Sequence, residues 1–127
     1  LEQSIFSIKQ DVKILDAHIL KKGVESMAIA MEKHQITPNE IDYFLPHVSS
    51  HFFVDGLYNG FVDAGLEITK DKWFMNLAHV GNVGSASIFL MLDELYHSGK
   101  LKKGDRIMCS VPESGRFSYA YAYLTVV

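Results

Sequence analysis

The order of residues predicts an α/β fold in a single domain, residues 1–127, with helices layered on a five-stranded mixed sheet. Two kinds of pattern and two turns carry that expectation. Short apolar or alternating runs of strand length recur between longer stretches with an apolar residue every three or four positions. Two of the strand-like runs end in polar punctuation, Pro46-His47 and Gly81-Asn82, and each feeds a helix. A strand that runs into a helix N-terminus is where α/β proteins commonly present backbone N–H groups and polar side chains to a ligand.

Taken in order, Ile5-Phe6-Ser7-Ile8 reads as a short strand, so the sheet's first strand is either supplied by residues 4–9 or missing. From about Asp11 to Gln35 the pattern is helical. Leu20, Val24, Met27, Ala28 and Met31 share a face, with Lys21, Lys22, Glu25, Glu32 and Lys33 largely opposite. Gly23 inside the run leaves one helix or two open. Thr37-Pro38-Asn39-Glu40 is a capping box opening a single turn. Asp42–Leu45 then reads as a strand ending at Pro46. A helix follows from Ser50 to Ala64, with Phe53, Leu57, Phe61 and Ala64 along one side. Gly56 and Gly60 in it would let another backbone approach closely, and Asn59-Gly60 alternatively reads as a turn.

Trp73–Leu77 reads as the central strand, and Gly84 to about His97 as a helix burying Ile88, Phe89, Met91, Leu92 and Leu95. Ser98-Gly99 stops that helix and Lys102–Asp105 turns the chain. Arg106–Val111 is a strand, Pro112–Arg116 a loop, and Phe117–Val127 a final alternating strand. Its Phe117, Tyr119, Tyr121 and Tyr123 fall on one face.

Composition narrows the function classes. With 48% hydrophobic and 12% aromatic residues, the chain is not disordered. A net charge of −3 with both signs interspersed gives no basic face for nucleic acid. One cysteine, Cys109, excludes an internal disulfide and fits a reducing, cytoplasmic compartment. No apolar run approaches the roughly 20 residues of a membrane span. LEQSIFSIKQ lacks a basic-then-apolar signal pattern and starts inside an apolar alternation, like a chain entered part-way.

Candidate chemistry lies at the two polar turns. If the strands before His47 and Asn82 are parallel neighbours, both side chains emerge at the same sheet edge. A neutral imidazole and a carboxamide there would donate to one carbonyl oxygen, the donor pair that an enolate or oxyanion requires. The local alternative for Asn82 is a helix cap or a left-handed turn beside glycine. His47 and His51 have a metal-ligand spacing, with His79 near, but no HExxH glutamate or second ligand cluster accompanies them, so no metal is expected. Cys109 lies mid-strand and reads as a small buried hydrophobe.

The motifs PHVSS and HVGNVGSASIFLMLDE, followed by LKKGDRIMCSV and preceded by TPNEIDYFLPH, resemble the C-terminal half of a ketoacyl synthase III. The resemblance covers essentially the whole chain and implies one half of a thiolase fold. It matches His47 and Asn82 to two members of the family's Cys-His-Asn triad. The nucleophilic cysteine would then sit in an N-terminal half, and this chain alone would be inactive. The resemblance further implies substrate contacts at Gly81, Ser85, Glu113, Ser114 and Gly115. The activity it implies is decarboxylative Claisen condensation of an acyl thioester with a malonyl- or 3-ketoacyl-type thioester, without a cofactor. Implied partners are acyl-CoA or acyl carrier protein thioesters, the N-terminal half, and a second copy in a homodimer.

Two departures stand out. No Lys or Arg occurs from residue 50 to 64, where the family often presents basic residues to a carrier protein. VPESGRFSYAY stands where a glycine-rich loop is expected. It is most similar, with GNVGSAS, to ketosynthases of dialkylresorcinol or aryl-polyene-type pigment pathways. A type III polyketide synthase-like half and a non-catalytic thiolase-like binding module are the alternative readings.

Overall fold

A computed structural model describes residues 11–127. The strand expected at Ile5–Ile8 lies outside the described residues. Helix α1 (Val12–His34) begins where the Asp11 carboxylate accepts the N–H groups of Lys13 and Ile14, each at 3.1 Å. It ends at Gln35, whose left-handed conformation lets the Ile36 N–H reach back to the Met31 carbonyl at 2.9 Å. Gly23 does not break it. That glycine is buried under the Tyr119 ring, where an added Cβ would lie 3.3 Å from the ring edge, so its role is close approach. The capping box forms as expected around a 3-10 turn at Pro38–Glu40, with the Thr37 N–H donating to Glu40 Oε2 at 2.8 Å.

Strand β1 (Tyr43–Pro46) pairs in parallel with β2 (Arg106–Glu113), which pairs antiparallel with β3 (Ser118–Thr125). Between β1 and β2 lie α2 (Phe52–Asp63), the single turn α3 (Leu77–Val80) and α4 (Ser87–His97). Among the described residues the sheet therefore has three strands rather than five. The strand expected at Trp73–Leu77 is reduced to one parallel bridge, Phe44 to Trp73, closed by the Phe74 N–H on the Phe44 carbonyl at 2.8 Å. Asn76 leaves the extended region (φ −123°, ψ 12°), and its carbonyl accepts the Val80 N–H that starts α3. β2 runs two residues further than expected, through Pro112 and Glu113. Phe117 stands outside β3 in a left-handed conformation (φ 52°), with its ring edge-on to His18 rather than in the tyrosine row.

Alternation along β1 and β2 feeds two cores. Phe44 and Met108 join Met27, Met31, Ile41, Phe61 and Ile68 beneath α1 and α2. Leu45, Ile107 and Cys109 join Ile88, Met91 and Leu95 beneath α4. Both faces of these two strands are covered, which explains their near-continuous apolar sequence. β3 is covered on one side only. Its Tyr119 and Tyr121 hydroxyls donate to the Ile19 and Gly23 carbonyls of α1, at 2.7 and 3.2 Å. Ala120, Ala122 and Leu124 on the other face are exposed. α4 buries Ile88, Met91 and Leu95, but Phe89 is 69% exposed, against expectation.

Candidate active site

The carboxyl end of β1 places the first candidate. Pro46 is fully buried, and the next N–H, of His47, donates to the Ser110 carbonyl at 2.8 Å. The ladder thus extends one residue past β1 and fixes where the His47 side chain leaves the sheet. The imidazole is half-buried, and the loss of solvent pushes its pKa below the ordinary 6.5. It is held neutral at neutral pH, the form in which one ring nitrogen donates and the other accepts.

The parallel bridge between Phe44 and Trp73 makes the segments leading to His47 and Asn82 neighbours, as the side-chain argument required. The chain reaches Asn82 through α3 and a left-handed Gly81 (φ 79°). Asn82 Oδ1 accepts the Gly84 N–H at 2.9 Å. The carbonyl side of the amide thus closes the turn, and its NH2 group takes no part in that bond. Ser87, buried at the start of α4, accepts the Val83 N–H at 3.2 Å and ties the same turn to the helix.

A third network, which sequence reasoning missed, anchors this turn from below. Buried Asn76 donates through Nδ2 to Glu94 Oε2 at 2.9 Å, and His79 Nε2 lies 3.1 Å from the same oxygen. Hydrogen bonding from Asn76, then from His79, holds the Glu94 carboxyl below its ordinary value. α3 is thereby strapped to α4 immediately before Gly81. The three residues are spread over 19 positions, and no local motif announces them.

His47 and Asn82 line one cavity of about 460 Å³. Ser85, Glu113 and Ser114 line it too. Gly81 and Gly115 do not; each shapes a turn behind the lining. The Glu113 carboxylate is engaged locally, accepting the N–H groups of Gly115 at 2.6 Å and Arg116 at 3.0 Å. The opposite wall comes from α1 and α2, through Leu15, Ile19, Leu20, Phe53 and Leu57, with Tyr119 between. The helical spacing of Leu20 with Val24 hinted at a buried face, but nothing local separates a core leucine from a cavity leucine.

Cys109 is not among the lining residues. It is 2% exposed under α4, and burial pushes its thiol up to about 11, so it is no nucleophile near neutral pH. His51 is exposed at the start of α2 and His79 is paired with Glu94. Among the described residues no three His, Cys, Asp or Glu side chains gather as a metal site.

A half-sheet flanked by helices, with an imidazole just past the end of β1 and a carboxamide in the turn after α3, is that of a thiolase-like domain. The family model described as 3-Oxoacyl-[acyl-carrier-protein (ACP)] synthase III C terminal matches residues 31–123, and the chain belongs to that family. A curated relative, beta-ketoacyl-[acyl-carrier-protein] synthase III of Clostridium novyi, is 34% identical over 85 residues, covering 67% of this chain and 25% of that protein. The crystal structure of 3-oxoacyl-[acyl-carrier-protein] synthase III from Aquifex aeolicus superposes with a TM-score of 0.77 at 25% identity, over 97% of this chain and 38% of its own. A variant of OleA from Xanthomonas campestris superposes at 0.79 with 26% identity, over 91% and 32%. The chain spans about a quarter to a third of the length of the curated relatives it matches.

Proposed function

We propose that this domain supplies the enolate-stabilising half of a decarboxylative condensing enzyme, with His47 and Asn82 as its two hydrogen-bond donors. The observation that carries the reading is their common cavity, entered from neighbouring parallel segments and walled by apolar side chains. A malonyl-type thioester binds with its carbonyl oxygen between the imidazole N–H and the carboxamide N–H. As CO2 leaves, the electrons of the broken C–C bond pass into the thioester, and negative charge gathers on that oxygen. Donors already in place meet the charge without reorganisation. The enolate carbon then attacks an acyl group held on a cysteine, and the thiolate departs.

The cysteine belongs to a second half of the enzyme, since burial disqualifies Cys109. Ser85, Glu113 and Ser114 border the thioester, and Gly81 and Gly115 shape the turns that carry them. The thioester arrives on CoA or an acyl carrier protein, and the complete enzyme works as a homodimer. The charged Glu113–Arg116 turn suits a specialised acceptor, as in pigment-pathway ketosynthases.

The test is Asn82→Ala and His47→Ala in the complete enzyme. Malonyl-thioester decarboxylation should slow by about 10²–10³ in each, and acylation of the cysteine much less. Condensation at the wild-type rate by both variants would overturn the assignment and favour a non-catalytic binding module.

A further inference from the structure

The carboxamide of Asn82 stands between two soft joints. Gly81 and Gly84 flank it, both in the left-handed region (φ 79° and 64°), and a Cβ built at either would meet nothing within 4 Å. The stretch leading into the turn is α3, a single helical turn too short to be stable by its own hydrogen bonds. Packing does not hold it either: Ala78 is exposed, and neither Leu77 nor Val80 joins either apolar core.

What holds α3 is polar. Among the described residues, the side-chain hydrogen bonds that leave residues 76–80 for another element all end on Glu94. Asn76 Nδ2 donates to its Oε2 at 2.9 Å, and His79 Nε2 lies 3.1 Å from the same oxygen. Glu94 is a firm base for them, because it lies between Met91 and Leu95 on α4, both buried in the second core. At the far end of the turn, Ser87 of the same helix accepts the Val83 N–H at 3.2 Å. One helix therefore grips the Asn82 turn at both ends. On the α3 side the grip is Glu94.

We propose that Glu94 is a positioning residue for the Asn82 donor: through Asn76 and His79 it fixes α3 on α4, and so sets where the carboxamide stands relative to the His47 imidazole. Glu94 does not line the cavity, so it acts only through the turn. A carboxylate suits the task, since its oxygens accept from both partners at once. The inference rests on the donor-pair reading for the reaction, and on the hydrogen bonds alone for the positioning.

The test is kinetic and runs in the complete enzyme. Glu94→Ala should slow malonyl-thioester decarboxylation by about tenfold in kcat, short of the roughly 10²-fold that a 1 Å misplacement can cost, with KM nearly unchanged. Acylation of the cysteine should keep its rate. Glu94→Gln should recover most of the loss, because its amide oxygen still accepts from Asn76. His79→Ala, at an exposed position, should show a smaller loss of the same kind. Because Glu94 acts through Asn82, adding Glu94→Ala to Asn82→Ala should cost nothing further. Backbone hydrogen exchange at residues 76–84 should quicken in Glu94→Ala and return to normal in Glu94→Gln, while β1 and β2 stay protected.

Wild-type decarboxylation by Glu94→Ala and His79→Ala overturns the proposal. So do losses that multiply in the double variant, losses that fall equally on acylation, or unchanged exchange at residues 76–84. If Glu94→Ala does not fold, His79→Ala decides by the same readouts. Failure of the donor-pair reading looks different. Asn82→Ala itself then turns over normally while exchange at residues 76–84 still responds to Glu94, which upholds the positioning and rejects only the reaction.

Discussion

Burial of the His47 imidazole links the site to stability through a single proton. Its folded-state pKa lies below 6.5, so the unfolded chain takes up the proton first as pH falls. The contribution of neutral His47 to stability is complete above about pH 6.5 and declines from there down to the folded value. An NMR titration of the ring should give a midpoint below 6.5, and His47→Gln should lose less stability than wild type across that window. A midpoint at or above 6.5 would show the ring to be solvated or paired with an anion. Residues such as His47 and Asn82 were legible in the sequence because Pro46 and Gly81 punctuate the chain beside them. Asn76 and Glu94 were not: their hydrogen bond joins positions 18 apart, and each looks locally like an ordinary polar residue.

At the scale of elements, periodicity located α1, α2, α4 and the three paired strands to within a few residues, and the departures have local causes. Trp73–Leu77 has strand composition, yet Asn76 turns inward to Glu94 and opens α3, so only Trp73 bridges β1. Gly23 and Gly60 looked like breaks. Both instead lie under a neighbouring element, since a glycine's missing Cβ serves close packing as readily as bending. The Gly56–Gly60 face, which small residues alone would leave open to any partner, is closed by Leu20 and Val24 of the same chain. Gly60→Ala should therefore lose about 1–3 kcal/mol to overpacking, only partly offset by the roughly 1 kcal/mol that alanine gains over glycine in a helix. Thermal unfolding of this variant beside Gly56→Ala checks the point. Equal melting temperatures would mean Val24 yields as easily as Leu20.

Across the whole molecule, α4 covers β1 and β2 but leaves the outer face of β3 bare at Ala120, Ala122 and Leu124. Phe89 and Leu90 on α4, and Val83 just before it, are also exposed, at 69%, 40% and 45%. Apolar surface of this extent on one side of a sheet tends to find a partner. The chain by itself should bind a hydrophobic dye or self-associate, and Phe89→Glu should reduce either signal by at least half. Sedimentation and dye fluorescence decide it; a monomeric, dye-silent wild type would mean these side chains are too scattered to act together. The patch could not be read from the sequence, where Phe89 falls among the buried positions of a regular amphipathic helix.

The Glu113 carboxylate, by holding the Gly115 and Arg116 N–H groups, makes the hairpin between β2 and β3 a self-contained piece. Both of these bonds close within residues 113–116, away from His47 and the Asn82 turn. Exchange or lengthening of residues 113–117 should thus remodel that rim of the cavity while His47 and Asn82 keep their places. In evolutionary terms, the rim at residues 113–117 and the polar pair at residues 47 and 82 are separately inheritable, so on the proposed reading lineages sharing one reaction are free to diverge in what they accept.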